Sequence, residues 1–447
     1  MSTANLESPS VDQRDPQYFG YYAQLQHQQN MLQDTVRTST YRSAILLNGA
    51  TCFKDKLVMD VGAGSGVLSY FAAQAGASRV YAVEASDMAK KMQKLVNAAE
   101  DPFSKNAFMK GKIEVINAKI EQPNLPIPKV DTIVSEPIGV LLFHERMLES
   151  FIHARDVYLK PGGAMFPSKG VIRLAPFTDA GLWTETITKA RFWQQDSFYG
   201  IDLSSLYTDA KEELFGMPVV GHFDPDSLIS TPSAFDGFDV DFSTVTVEEL
   251  LDLTIPFNFV ASYTGIMHGV AGWFDLGFAP PPYDQPTDLN DMNVPSTAVE
   301  MSTGPHAERT HWQQVRFLFR EPLAVNANQN IRGYMRCIVN DMRSYTIYVE
   351  AVVGDDDSVV SLSDPATIAK DRKFVDDSSY IHPLRRRGMW ELQEQTYNYS
   401  YNPGFGQPQT KPEYLCLYEP QETTAIDMEG TTPLPEVTNP DFLNFVN

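Results

Sequence analysis

The chain has 447 residues, 43% hydrophobic and 11% aromatic, enough apolar matter for a large core divided among two or three domains of roughly 150 residues each, which excludes a chain disordered throughout. Acidic residues outnumber basic ones, 57 to 35, for a net charge of −22. Non-specific nucleic-acid binding is therefore disfavoured, and a cationic protein partner is attracted. Cys52, Cys337 and Cys416 stand far apart with no C-x-x-C pair, which argues against a disulfide framework or zinc ribbon, predicts no metal site and fits a reducing compartment. No apolar run nears the ~18 residues of a membrane span, and Met1 to Gln17 does not read as a signal peptide. An intracellular, soluble protein is the expectation.

Residues 22–48 carry apolar side chains three and four apart, which predicts helix. Four strand-like runs follow: Leu57-Val-Met-Asp-Val, Val80-Tyr-Ala-Val, Ile113-Glu-Val-Ile and Thr132-Ile-Val. Helical stretches from Val67 to Ala75 and from Met88 to about Ala99 alternate with them. Another runs from about Arg146 to Tyr158 and stops at Lys160-Pro-Gly-Gly. This alternation predicts an α/β unit with a doubly wound parallel sheet. Beyond Phe166-Pro the text turns β-rich without helical crossovers, at 171–174, 255–260, 273–278, 315–319 and 345–353. An antiparallel barrel or sandwich is expected over about 168–354, interrupted by a helical, aromatic-rich insertion at 190–218. From Gly354 onward, acidic and Pro/Gln/Tyr/Thr-rich text predicts a flexible tail, and Arg385-Arg-Arg reads as a solvated patch rather than an import signal.

Three motifs carry chemistry. Val61-Gly-Ala-Gly-Ser-Gly-Val lies between a strand and a helix, where glycines let the backbone approach a ligand and the helix N-terminus offers free N–H groups. Glu84 ends the next strand 22 positions after Gly62, placed to accept from ribose hydroxyls. A dinucleotide site wants G-x-G-x-x-G. Here the third glycine arrives one position early and Val67 stands where Gly or Ala belongs, so the loop resembles the G-x-G-x-G form of S-adenosylmethionine-dependent methyltransferases. The second motif, Ser135-Glu-Pro-Ile-Gly-Val-Leu-Leu-Phe-His-Glu-Arg-Met, starts at the carboxyl end of the fourth strand, the edge where doubly wound sheets bind ligands. Pro137 and Gly139 favour turns, so Glu136 and Glu145 are expected to face one another across a hairpin. In apolar surroundings each carboxylate needs a cation or a proton, and two facing one pocket suit a planar guanidinium. The third motif is Thr310-His-Trp, whose histidine, taken alone, reads as a structural residue.

With Tyr18-Phe-Gly-Tyr-Tyr and Asn30-Met-Leu-Gln-Asp-Thr-Val-Arg-Thr, these motifs in this order resemble a protein arginine methyltransferase from about residue 17 to about 354. Gln28, Phe192-Trp-Gln-Gln and Ser135-Glu-Pro bring the resemblance nearest to the coactivator-associated (class four, type I) enzymes. The resemblance implies S-adenosyl-L-methionine as cofactor and arginines of histone H3 and other nuclear proteins as substrates. It implies mono- and asymmetric dimethylarginine as products, a homodimer, and a place in nucleus and cytoplasm, with no direct nucleic-acid or membrane partner. A catalytically weak coactivator scaffold, acting through its acidic tail and altered hairpin, is the alternative; Glu136, Glu145, Arg37 and Glu84 weigh against it.

Residue by residue, the resemblance makes Glu136 and Glu145 the holders of the substrate guanidinium. Arg37 pairs with the cofactor carboxylate, Gln28 lies over it, Gly62 and Gly64 belong to the loop, and Glu84 accepts from the ribose. Glu121 and Ser150 line the adenine and methionine ends, while Tyr18, Phe19 and Tyr22 sit on a helix closing over the cofactor. Asp34 and His311 tether that helix to the barrel, which gives His311 a supporting catalytic role. Met31 and Met147 border the guanidinium pocket and set the product, and 190–218 is the dimerisation arm. Ala63 departs from the family's frequent cysteine, and Ile138, Val140 and His144 from its methionine, tyrosine and asparagine. The stretches 102–112 and 280–292 look longer than usual, and the family's pleckstrin-like domain is expected to be absent before Gln17. The expected domains are a disordered 1–17, a methyltransferase domain at 18–166, a β-barrel substrate domain at 167–354 and the tail at 355–447.

Overall fold

A computed structural model describes residues 15–230, 237–282, 297–354, 360–367, 375 and 382–392. The chain enters through α1 (Asp15–Tyr22), α2 (Leu25–Gln33) and α3 (Thr35–Leu47). The helix expected over 22–48 is thus broken. Asp34 leaves helical geometry, with ψ at 94°, and its side chain accepts the Arg37 N–H to cap α3. Order begins before residue 18: Asp15 opens α1 and is buried. Residues 1–14, the rest of the expected disordered segment, lie outside the described residues.

Next come β1 (Leu57–Val61), α4 (Val67–Gln74), β2 (Arg79–Val83), α5 (Met88–Ala98), β3 (Ile113–Ile116), β4 (Val130–Ser135), α6 (Met147–Tyr158) and β5 (Leu159–Phe166). The strands form a parallel sheet in the order β3-β2-β1-β4-β5. Val58, Met59, Ile133 and Val134 are wholly buried, as strands covered on both faces require. Strand order reverses between β1 and β4, which makes a crevice at their carboxyl ends. Val61 stands opposite both Val83 and Ser135, so the next residues, Gly62, Glu84 and Glu136, leave the sheet edge side by side. Lys160-Pro-Gly-Gly, expected as a stop, lies inside β5; the register with β4 shifts between Val130 and Thr132, and that irregularity accommodates the exposed Pro-Gly.

After Phe166 the pairing becomes antiparallel. The strands are β6 (Lys169–Phe177), β7 (Val219–Gly221), β8 (Phe238–Asp241), β9 (Asp252–Val260), β10 (Gly265–Phe278), β11 (Val299–Ser302), β12 (Gln314–Val325), β13 (Asn330–Val339), β14 (Tyr345–Val353) and β15 (Arg385–Leu392). One sheet runs β7-β12-β10-β6-β8 with β11 on β10, and the other β15-β14-β13-β9. Trp390 of β15 is 1% exposed and lies 5.3 Å from the Phe317 ring of β12, which joins the two sheets.

β15 falls in the stretch expected to be tail, and its arginines are not a solvated patch. Arg386 donates to the Glu321 and Pro322 carbonyls. Arg387 meets Glu350, a fully buried carboxylate that also accepts the Tyr334 hydroxyl at 2.9 Å. A carboxylate out of water needs such partners; in the sequence, an arginine 37 positions away looks merely polar. Residues 393–447 lie outside the described residues. The insertion begins earlier than residue 190: α7 (Ala180–Arg191) and α8 (Tyr207–Phe215) form a pair. Ile187 and Phe215 root it on Ala175, Phe177 and Leu318. Its far end leaves Phe192, Tyr199, Ile201 and Leu206 between 43% and 93% exposed. The short helix α9 (Val247–Leu251) precedes β9. Among the described residues no helix is long and apolar enough to cross a membrane.

Candidate active site

The glycine loop occupies the crevice. Gly62, Gly64 and Gly66 all take positive φ, at 70°, 54° and 92°, a backbone that side chains oppose. Gly64 is also crowded: a Cβ there would come within 2.8 Å of Gln28 Oε1. That amide oxygen accepts the Ser65 N–H at 3.0 Å, and its Nε2 donates to the Tyr22 carbonyl. Gln28 therefore stitches the entry helices to the loop. Glu84 accepts the Gly64 and Ser86 N–H groups, each at 2.7 Å. Beneath the loop, buried Asp60 accepts from the Ser69 amide and hydroxyl, and burial pushes its carboxyl up to about 7. Nothing in the sequence singled Asp60 out, because its role depends on depth.

The segment after β4 is tightly turned. Leu141, Leu142, Glu145 and Arg146 have positive φ, a conformation held at a cost by the surrounding structure. A side chain at Gly139 would fall 2.1 Å from the His144 carbonyl, so only glycine permits this turn. The turn aims two carboxylates. Glu136 Oε2 accepts from Arg37 Nη2 at 2.7 Å and Nε at 3.2 Å. Burial disfavours the Arg37 charge, but Glu136 outweighs it and raises the pKa. Glu145 accepts the Tyr22 hydroxyl at 2.8 Å and the Tyr18 hydroxyl at 3.1 Å. Burial, reinforced by the Glu145 charge, drives both phenols well above their ordinary range, so they stay neutral donors. Each glutamate is thus partnered from the entry helices: Arg37 of α3 is on Glu136, and α1 is on Glu145.

Asp34 and His311, 277 positions apart, meet as the resemblance implied. Asp34 Oδ2 accepts both the His311 N–H and Nδ1, each at 2.7 Å. Burial raises the Asp34 carboxyl, but the His311 hydrogen bond and the helix cap prevail and hold it below its usual value. Trp312 Nε1 donates to the Ile138 carbonyl at 2.8 Å, so the same loop braces the carboxylate turn. Ser150 donates to Glu121 at 2.5 Å. The Met147 methyl lies over Gly62, 3.2 Å from where a Cβ would stand. Met31 is half-buried, and its carbonyl accepts from Asp34 and Arg37. Phe19 packs edge-on to Tyr18 and under the Lys119 ammonium. His144 is buried beside Ser344 Oγ at 2.6 Å, and burial pulls its pKa down to about 4. Asp15, Lys119 and Arg343, which also touch this neighbourhood, carried no local sequence signal. Among the described residues no cluster of His, Cys, Asp and Glu could hold a metal.

Known proteins resemble this chain in sequence and fold. The sequence model of the arginine methyltransferase oligomerization subdomain matches residues 172–350, and that of the ribosomal protein L11 methyltransferase matches 40–173. The chain is 46% identical over 332 residues to "Probable histone-arginine methyltransferase CARM1" of Oryza sativa subsp. indica, covering 74% of this chain and 58% of that protein. It is 42% identical over 334 residues to "Histone-arginine methyltransferase CARMER" of Drosophila yakuba, covering 75% and 58%. The chain therefore spans about 58% of the length of the curated relatives it matches. Among solved structures, protein arginine methyltransferase 10 of Arabidopsis thaliana superposes with a TM-score of 0.64 at 27% identity, over 84% of this chain and all of that one. The Trypanosoma brucei PRMT1 enzyme–prozyme complex with AdoHcy gives 0.63 at 26%, over 83% and 99%.

Proposed function

We propose, on the premise that the chain belongs to the protein arginine methyltransferase family, that it transfers methyl groups from S-adenosyl-L-methionine to arginine side chains of basic proteins, histone H3 among them. The observation that carries this reading is the convergence of Glu84, Glu136 and the glycine loop on one sheet edge, with Glu145 turned into the same neighbourhood.

The residues present fit the cofactor. A buried carboxylate, Glu84, stands at the edge for paired hydroxyls, and a loop in which a side chain at Gly64 would collide allows backbone approach. Arg37 is a buried cation for a carboxylate, with Gln28 above the loop, Phe19 and Tyr22 on the covering helix, and Glu121 with Ser150 at the far side. Bound there, the cofactor supplies an electrophilic sulfonium methyl.

The protein's own contribution is positioning. With a pKa above ~12, a substrate guanidinium is protonated and a poor nucleophile. Glu136 and Glu145 hold the cation, draw its charge towards one side and aim the opposite nitrogen, and the proton that nitrogen sheds on methylation leaves through either glutamate or the Asp34–His311 pair. Orientation of this kind is worth ~7–11 kcal/mol in favourable cases. Asp34 and His311 act as the tether between entry helices and barrel, while Met31 and Met147 leave yielding walls beside the nitrogen that already carries a methyl, so that the second methyl joins it. The exposed apolar end of the 180–218 arm seats on a second copy in a two-fold dimer. Histone substrates support activity in the nucleus, and activity in the cytoplasm is proposed beside it. The proposed domain division runs between β5 and β6, with the methyltransferase unit before Phe166 and the substrate unit after it.

Purified protein, labelled S-adenosylmethionine and histone H3, with fragmentation of the products by mass spectrometry, tests the reading. Mono- and asymmetric dimethylarginine are expected. Cofactor binding without any transfer would favour the scaffold alternative, and symmetric product would refute the assigned pocket.

A further inference from the structure

The helix that brings two phenols to Glu145 is itself weakly rooted. Of the eight residues of α1, only Asp15 is buried, and Pro16, Gln17 and Gly20 are exposed. Apart from its two phenols on Glu145 and Gln28 on the Tyr22 carbonyl, charge anchors it. Asp15 pairs through one carboxylate oxygen with Lys119 and through the other with Arg343. The two cations come from different parts of the fold, Lys119 from the loop after β3 and Arg343 from the turn between β13 and β14. Arg343 does more than pair. Its guanidinium carbon lies 4.3 Å from the centre of the Tyr18 ring, and its Nη2 faces the Glu145 carbonyl at 3.4 Å. Only 10% of its side chain is exposed. Lys119 likewise lies 5.6 Å from the Phe19 ring centre.

We propose that Arg343 is a positioning residue: with Asp15 and Lys119 it latches α1 over the site and sets Tyr18 and Tyr22 against Glu145. This rests on the function proposed above. Arginine suits the position because one planar cation stacks on the phenol face while its N–H edge serves the carboxylate. Lysine keeps the charge but loses the fixed, flat donor edge. Since α1 lies outside both sheets and buries little beyond Asp15 and its two phenols, releasing the latch changes how often the helix is closed and leaves the sheets intact. If the closed fraction falls to about a tenth, the apparent affinity for anything α1 covers falls about tenfold.

The test uses the full chain with Arg343→Gln, Arg343→Lys and Asp15→Asn. Hydrogen exchange read by mass spectrometry, with neither cofactor nor substrate, is expected to show residues 15–22 exchanging about tenfold faster in Arg343→Gln. Peptides from β1, β2 and β12 are expected to be unchanged. Calorimetric titration with S-adenosylhomocysteine is expected to weaken about tenfold in Arg343→Gln and less in Arg343→Lys. The double variant Asp15→Asn/Arg343→Gln is expected to lose less than the sum of the two singles, because they share the Asp15–Arg343 pair while the Lys119 pair and the Tyr18 stack are lost separately. In turnover, KM for the methyl donor rises more than kcat falls. Unchanged exchange at 15–22, or equal loss of protection throughout the fold, would overturn the latch. Exchange is measured without turnover, so a wild type that methylates nothing would sink the proposed function, while the latch stands or falls on the exchange rates alone.

Discussion

Asp34→Asn is a change of one atom type at a site where the structure leaves no room for it. The carboxylate is 4% exposed and accepts three hydrogen bonds while donating none: Oδ1 from the Arg37 N–H at 2.9 Å, Oδ2 from the His311 N–H and Nδ1 at 2.7 Å each. An amide offers one acceptor oxygen. Turned towards Arg37, it sets its NH2 against the His311 N–H; turned the other way, it abandons the α3 cap. The lost cap is worth about 1 kcal/mol and a buried N–H left without a partner costs about 1–3 kcal/mol; since the amide suffers one or the other, the expected loss is roughly 1–3 kcal/mol. Urea unfolding of wild type and variant at pH 7 measures it. The pH dependence adds a second check. The folded carboxyl titrates below its unfolded value, so its contribution is complete above the unfolded pKa and disappears as pH falls through the folded one. The gap between wild type and variant is therefore expected to narrow in acid. Because the same loop carries Trp312 onto the Ile138 carbonyl, methyl transfer is expected to fall about tenfold or more through lost positioning. A variant within about 0.5 kcal/mol of wild type, with normal turnover, would refute the argument that this carboxylate ties the entry helices to the barrel.

Glu145→Gln removes the charge proposed to grip the substrate guanidinium; methylation is expected to fall about a hundredfold, or ~3 kcal/mol, with S-adenosylhomocysteine affinity changed far less. Near-normal turnover would remove the proposed mechanism. His144, neutral and buried with a pKa of about 4, faces an unfolded chain that takes up the proton near 6.5. The unfolded state binds more protons between those values, so stability falls by up to about 3 kcal/mol as pH drops from 6.5 to 4; His144→Asn should flatten that slope in urea midpoints, and an unchanged slope contradicts it. Charging the exposed arm with Phe192→Asp and Leu206→Asp is expected to give monomers by light scattering, and dimers would discount the arm. Met31→Phe is expected to yield some symmetric dimethylarginine at slower turnover; purely asymmetric product from this variant would make Met31 ordinary filler.

Local pattern revealed much of the parallel half. Short apolar runs at Leu57–Val61 and 132–134, alternating with helical stretches, read as strands of a parallel sheet, and a glycine loop before Val67 announces a helix start at a ligand edge. The antiparallel half was legible where strands were apolar and illegible where they were not. β15 hid because its arginines answer Glu350, which stands 37 positions from Arg387 and outside any local window. The split at Asp34 hid for a similar reason: capping residues look like any polar surface residue until a second bond, here to His311, removes them from water.

Glu84, Glu136 and Glu145 were legible locally, as carboxylates at a strand end or beside a turn, whereas Asp34 and His311 came only with the resemblance to arginine methyltransferases. Which groups share each carboxylate was decided only in three dimensions. Arg37 on Glu136, Tyr18 and Tyr22 on Glu145, and Arg343 on Asp15 span 99, 127, 123 and 328 positions. A sequence carries spacing and polarity along the chain, whereas a buried charge is matched by whatever cation or hydroxyl the fold delivers to it. That matching depends on distance through space and on the exclusion of water, neither of which is written in the order of residues.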